Sequence, residues 1–196
     1  MDQQRALVLA SGSRYRRELL SRLGLAFEVH APQLDESALR GEAPSATAER
    51  LARLKARAVR THFPAALIVG SDQVASLDDG ERVGKPGNHA AAVAQLRRLS
   101  GKAVDFYTAV CVLDAASGDE QARVVPCRVV FRNLDAQRIE SYLRREQPYD
   151  CAASAKAEGL GIALIARIET DDPTSLIGLP LIALTEMLER AGLRVL

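Results

Sequence analysis

The sequence has 196 residues, of which 47% are hydrophobic and 26% charged, and its formal net charge is +1. These values describe an ordinary globular chain long enough for one large domain, and they exclude a general basic field that would attract nucleic acid. The N-terminal residues fit neither a secretory signal nor a membrane span, so we expect a cytoplasmic protein with no membrane partner.

The first half of the chain predicts alternating strands and helices. A buried strand is expected at 6–10, followed by a turn of small residues and a helix at 14–23 that Gly24 ends. A second helix is expected at 45–61 and a second buried strand at 66–70. This alternation indicates an α/β protein.

The second half continues the pattern with longer strands. The predicted elements are a turn at 78–81, a loop at 84–86, a helix from Asn88 to before Gly101, an antiparallel hairpin of 103–113 and 123–131, a helix from Asp135 to Glu146, a strand at 161–168 and a helix at 180–191. Three cysteines, at 111, 127 and 151, follow no metal-ligand spacing and are expected to be free thiols. Since no linker or repeat interrupts the chain, we predict one domain over 1–196 with a mixed sheet and a cleft.

A first candidate site lies at the start of the 14–23 helix. Ser11 and Ser13 precede Arg14, Arg16 and Arg17. Cations at a helix N-terminus are unfavourable by up to about 1 kcal/mol unless an anion binds the exposed N–H groups. The segment therefore either binds phosphate groups or projects its arginines into water. It lacks the Walker A and dinucleotide-binding patterns.

A second candidate is Asp72, which follows the 66–70 strand and is expected at the carboxyl end of that strand, at a cleft edge. A carboxylate in that position can take a proton from an attacking water or hold a divalent metal. The alternative is a turn-forming aspartate, which is common after strands.

Two lysines and an acidic pair complete the candidates. Lys85, in Gly84-Lys85-Pro86, either neutralises charge on a phosphate or is an exposed surface lysine. Lys55 lies beside the apolar stripe of its helix and either extends its ammonium to solvent or reaches the same cleft as Asp72. Glu36, after Asp35, could bring a second carboxylate to a metal or be solvated.

In combination these segments resemble the Maf family of nucleotide pyrophosphatases over nearly the whole chain. The matching segments are LASGS at 9–13, Arg16 and Arg17, DE at 35–36, LARLKA at 51–56, GSDQ at 70–73, GKP at 84–86 and GLP at 178–180. The resemblance implies a mixed, elongated, twisted sheet flanked by helices, in two lobes with a cleft, as in inosine triphosphatases, and often a homodimer.

The resemblance also implies a reaction and its residues. It implies hydrolysis of a nucleoside triphosphate between the α and β phosphates with Mg or Mn, removing modified nucleotides from the pool. Asp72 would be the proton acceptor, with Lys55 and Lys85 as the other catalytic residues. The remaining site residues would be Ser11 and Arg16 at the substrate and Glu36 at the metal.

Within the family the chain looks closest to the YceF branch, whose characteristic substrate is 7-methyl-GTP. Tyr15, Gln73 and Glu158 carry this assignment as substrate-binding residues. A carboxylate can accept from the N1–H and amino group of guanine, and an aromatic ring can stack on a cationic methylated base. Tyr15 departs from the tryptophan that is frequent there in relatives.

Two rival functions remain open from the sequence. One is a pyrophosphatase of other nucleotides, such as dTTP, UTP or methylated pyrimidines. The other is a non-catalytic nucleotide-binding regulator of cell division.

Overall fold

A computed structural model describes residues 5–196 of the chain. Its elements are β1 (Leu7–Ala10), α1 (Arg14–Ser21), β2 (Glu28–Val29), α2 (Pro44–Ala58), β3 (Leu67–Ser76), α3 (His89–Leu99), β4 (Ala103–Asp114), β5 (Glu120–Phe131), α4 (Ala136–Glu146), two 3₁₀ segments (Ala152–Ser154 and Leu160–Leu164), β6 (Ile165–Glu169) and α5 (Leu181–Arg190). Within these residues no helix has the length and apolar character needed to cross a membrane.

The strands form one mixed sheet in the order β2-β1-β3-β4-β5-β6. β1 is parallel to β2 and β3, and β6 is antiparallel to β5. All residues of β1 and the first six of β3 are buried. β1 and the start of β3 are apolar throughout, as expected for strands covered on both faces. The predicted α/β class with a mixed sheet flanked by helices is confirmed.

The chain groups into two compact units. Within the described residues, the first comprises 5–73, Thr108–Val125 and Asp172–Leu196, and the second comprises Val74–Tyr107 and Pro126–Asp171. The single domain over 1–196 stays a prediction.

Each unit has its own buried interior. In the first, apolar residues of β1, β3, β4, α1 and α5 form one cluster, for example Leu9, Leu19, Val69, Val110 and Leu184. In the second, α3 packs against α4 and against the 3₁₀ segment Ala152–Ser154. The three cysteines, all within residues 5–196, form no disulfide, as predicted, and Cys111 and Cys127 are buried.

The predicted end of the second strand was wrong. β3 continues from Leu67 to Ser76, so Asp72 lies inside a strand rather than in a turn after it. β1 stops at Ala10, opposite Gly70, while β4 borders β3 on its other side. Asp72 therefore lies two residues past the end of the parallel pairing, where one side of β3 has lost its neighbour.

The strand predicted at 161–168 was also wrong in its first half. Leu160–Leu164 is a 3₁₀ segment, and the strand begins at Ile165. The Glu146 carboxylate accepts hydrogen bonds from Leu160 N at 2.7 Å and Lys156 Nζ at 2.7 Å. These bonds hold the chain in a turn, so the apolar residues after it do not extend.

Candidate active site

A buried lysine and two carboxylates lie at the centre of the candidate site, all within the first unit. Lys55 Nζ donates to Asp72 Oδ1 at 2.6 Å and forms an ion pair with Glu36 Oε1 at 2.9 Å. The Lys55 and Asp72 side chains are 7% and 9% exposed, whereas that of Glu36 is 53% exposed. A buried cation is thus shared by one buried and one solvent-facing carboxylate.

Lys55 reaches Asp72 because α2 packs closely on β3. Leu51, Ala52 and Ala56 form the buried face of α2. A Cβ on Gly70 would lie 2.1 Å from Ala52 O, so the helix can approach the strand only where residue 70 has no side chain. Of the two alternatives for Lys55, the structure shows the contact with Asp72.

The second oxygen of Asp72 is open. Oδ1 accepts from Lys55, and Oδ2 has no hydrogen-bond partner among residues 5–196. No fully buried side-chain N or O atom in the described chain lacks a partner, so Oδ2 keeps contact with solvent. The hydrogen bond from Lys55 to Oδ1 orients the carboxylate, and Oδ2 remains accessible to solvent. An oxygen in this position can accept a proton from water.

The start of α1 arranges donors from Ser11, Ser13 and Arg16. Ser13 caps the helix by accepting from Arg16 N at 3.4 Å, and Ser11 Oγ accepts from Ser13 N at 3.2 Å and from Arg16 Nη1 at 3.4 Å. Arg16 Nε donates to Gly178 O at 2.9 Å. The first turn of α1 contains no acidic residue. Arg16 is therefore held in place while the helix start stays positive.

Arg16 is electrostatically linked to the carboxylates. Burial lowers the pKa of the Arg16 guanidinium, and the charges of Asp72 and Glu36 oppose that shift. Arg14 and Arg17 are exposed instead, and the Arg14 guanidinium lies 4.7 Å from the Tyr15 ring centroid. Arg16 is thus placed with Ser11 and the acidic groups.

Tyr15 and Gln73 lie in the first unit at its surface. Tyr15 is half-buried, and its hydroxyl accepts from Arg14 Nη2 at 2.6 Å, so Tyr15 does not pack in the core. Gln73 Nε2 donates to Thr108 Oγ1 at 2.9 Å and to Ser175 O at 3.0 Å. Because the amide nitrogen is turned inward, the Gln73 oxygen is left for other partners.

Lys85 and Glu158 lie in the second unit and are exposed. Neither side chain has a hydrogen bond or ion pair with another residue of the described part of the chain. Glu158 lies in the turn before the Leu160–Leu164 segment. Asp35, the neighbour of Glu36, accepts from Ser37 N at 2.9 Å, so it stabilises its own loop.

The sequence interpretation missed the role of the Gly178 carbonyl. It accepts from Arg16 Nε and, at 3.0 Å, from Ser71 Oγ. Gly178 has φ 126°, a value that favours glycine. The glycine itself is the one signal for an unusual backbone there. Nothing in the sequence indicates which side chains its carbonyl would receive.

The Asp72 and Glu36 carboxylates could supply part of the coordination shell of a magnesium ion. Magnesium typically takes one or two carboxylates, with substrate oxygens and water completing the shell. Asp72 and Glu36 share one ammonium and both keep contact with solvent. Within residues 5–196 no group of three or more His, Cys, Asp or Glu could hold an ion by itself. The two residues therefore fit an ion that substrate oxygens help to bind.

Comparison with known proteins identifies a family model, curated relatives and a solved structure that are similar to this chain. The family model described as "Maf-like protein" matches residues 6–191. A Cupriavidus metallidurans protein named 7-methyl-GTP pyrophosphatase is 56% identical over 191 residues, covering 97% of this chain and 96% of the relative. A Polaromonas protein of the same name is 58% identical over 188 residues, covering 96% and 85%. The Staphylococcus aureus Ham1 protein structure overlaps with a TM-score of 0.48 at 11% identity, covering 66% of this chain and 73% of that one.

Proposed function

We propose that this chain, which belongs to the Maf family, hydrolyses 7-methyl-GTP to 7-methyl-GMP and pyrophosphate. The observation that carries the proposal is the identity of 56% over 97% of the chain to a relative named for that activity. The buried Lys55–Asp72 pair beside a solvent-facing Glu36 supports the reaction class. A positive helix start next to Ser11 and Arg16 supports binding of a polyphosphate.

In the proposed reaction, water attacks the α-phosphorus and Asp72 takes its proton. The bond between the α-phosphorus and the bridging oxygen breaks, and pyrophosphate leaves with the bonding electrons. Lys55 and Arg16 stabilise the growing negative charge as hydrogen-bond donors, and Lys85 adds an ammonium. Lys55 also fixes Asp72 Oδ1, which leaves Oδ2 to meet the water.

We propose Mg or Mn as the cofactor, held by Glu36. When bound, the ion would neutralise phosphate charge. We propose Tyr15, Gln73 and Glu158 as the residues that recognise the base. The exposed Glu158 carboxylate and the open oxygen of Gln73 both supply acceptors, which suits a base edge that carries N–H donors.

The test is pyrophosphate release from 7-methyl-GTP, GTP, dTTP and UTP, scored by kcat/KM with Mg²⁺ and with EDTA. We expect 7-methyl-GTP to exceed dTTP and UTP by at least about tenfold, and EDTA to stop turnover. Higher kcat/KM for dTTP would refute the substrate, and nucleotide binding with no release under any metal would favour a regulator instead.

Asp72→Asn is the matched variant for the base. The amide keeps the size of the side chain and an oxygen for Lys55, but it cannot take a proton from water. We expect kcat to fall by about 10²–10⁴, the usual contribution of a general base, with an unchanged circular dichroism spectrum. Parental turnover by this variant would remove Asp72 from the mechanism.

A further inference from the structure

The loop that carries Lys85 is held on both sides by the second unit. Gly84 O, immediately before Lys85, accepts from Gln95 Nε2 at 2.9 Å and from Ala153 N at 3.4 Å. After Lys85, Gly87 N donates to Tyr149 O at 3.0 Å. The Lys85 side chain has no partner within residues 5–196. These flanking backbone bonds therefore determine where its main chain lies.

The Ala152–Ser154 segment, which is hydrogen-bonded to Gly84, has a strained backbone. Ala153 has φ 57° and Ser154 has φ 53°, and both are fully buried. The left-handed region costs a residue with a side chain roughly 1–2 kcal/mol, and alanine has no polar group that could compensate locally. Such strain persists where surrounding contacts enforce it, and it concentrates at functional sites.

Two hydrogen bonds fix the orientation of the Gln95 side-chain amide. Ser154 Oγ donates to Gln95 Oε1 at 2.5 Å, and Gln95 Nε2 donates to Gly84 O. A backbone carbonyl only accepts, so the nitrogen of Gln95 must face Gly84 and its oxygen must face Ser154. The strained segment thus reaches Gly84 through its own backbone N–H and through Gln95.

We propose that Gln95, oriented by Ser154, is a positioning residue that fixes Gly84 and thereby aims the Lys85 ammonium. The inference rests on the proposed function, in which Lys85 acts on the phosphates. Gln95 acts through Lys85 and does not touch the substrate. Its loss displaces a charge that matters most when negative charge develops, so kcat falls and KM changes little.

The test is a double-mutant cycle on pyrophosphate release, using the parent, Gln95→Leu, Lys85→Ala and the combined variant. We expect Gln95→Leu alone to lower kcat on the order of tenfold with KM within about twofold, since small misplacements of catalytic groups are costly. In the Lys85→Ala background the same change should cost less than about twofold. Gln137→Leu, an exposed glutamine of α4 in the same unit, is the matched control.

Two further variants separate positioning from general support of the fold. Gln95→Glu keeps an acceptor for Ser154 but cannot donate to Gly84 O, so it should be as impaired as Gln95→Leu. Ser154→Ala keeps the Gln95–Gly84 bond and should be milder. Thermal unfolding of each variant shows whether the fold is retained.

The outcomes distinguish the inference from the proposed function. Equal loss from Gln95→Leu in both backgrounds, or parental kcat in Gln95→Glu, overturns the positioning role while leaving the hydrolysis intact. A parental kcat in Lys85→Ala overturns the assignment of Lys85 and the inference with it. No pyrophosphate release by the parent from any triphosphate overturns the proposed function.

Discussion

Lys55 is the residue on which two carboxylates depend, with Asp72 Oδ1 at 2.6 Å and Glu36 Oε1 at 2.9 Å from its Nζ. Lys55→Met keeps the aliphatic length and removes the charge, so Asp72 is left without its cation. We expect unfolding free energy to fall by about 2–3 kcal/mol, less than for a fully enclosed pair because Asp72 keeps contact with solvent. Urea denaturation measures this loss.

The double variant Lys55→Met with Asp72→Asn tests the reason for that loss. It has no uncompensated carboxylate at position 72, so most of the lost stability should return. A loss equal to the sum of the two single losses would mean that the Lys55–Asp72 charge pair does not account for the effect of Lys55→Met.

Most of the individual residues of the candidate site could be predicted from the sequence. Helical periodicity placed Lys55 beside the apolar stripe of α2, and the residue types of Ser11, Arg16, Glu36 and Asp72 suit phosphate and metal. Their convergence could not be predicted, because it depends on the close packing of α2 against Gly70. The left-handed backbone at Ala153 and Ser154 could not be predicted, because neither residue type favours that conformation.

A carboxylate just before α2 connects the helix to the loop that precedes it. Glu42 accepts from Arg50 Nε at 2.6 Å, Thr47 Oγ1 at 2.7 Å and Leu39 N at 3.1 Å, whereas the N-cap Ala43 has no side-chain hydrogen bond. Chiefly the hydrogen bonds from Arg50 lower the pKa of Glu42 from 4.5 to about 2. Glu42 thus joins the first two turns of α2, through Thr47 and Arg50, to the preceding loop.

This depressed pKa predicts an acid-dependent stability. A carboxyl group with a lower pKa in the folded state stabilises the protein fully above about pH 4.5, and that contribution is lost as pH falls toward 2. We expect Glu42→Gln to lower the urea midpoint at pH 7 and to approach the parent near pH 2. Glu186→Gln, at a half-exposed ion pair with Arg123, is the control. A constant difference at all pH values would contradict the assignment.

Element boundaries were harder to predict than element types. Caps located the starts of α3 and α4, because Asn88 and Asp135 accept from the first-turn amides that a helix leaves unpaired. β3 was predicted too short, since the polar run Ser71–Gln73 looks like a turn when the sequence is considered alone. Long-range bonds keep it extended, including those from Ser71 to Gly178 O and from Gln73 to Ser175 O.

The whole molecule is divided into two compact units, yet three strands run through both. The boundaries Gln73/Val74, Tyr107/Thr108 and Val125/Pro126 fall inside β3, β4 and β5. Melting of one unit leaves the remaining part of each of these strands with a frayed end, which destabilises the other unit. This continuity favours one cooperative unfolding transition, as a single domain over 1–196 would show.

Two buried cysteines allow that expectation to be measured. Cys111 belongs to the first unit and Cys127 to the second, and burial raises the pKa of their thiols to about 12 and about 11. Both are unreactive while folded, because alkylation requires an accessible thiolate. In a Cys151→Ser background, which removes the one partly exposed thiol, brief iodoacetamide pulses at increasing urea should label both residues with the same midpoint. Earlier labelling of Cys127 than of Cys111 would show that the second unit unfolds independently and that the chain comprises two domains.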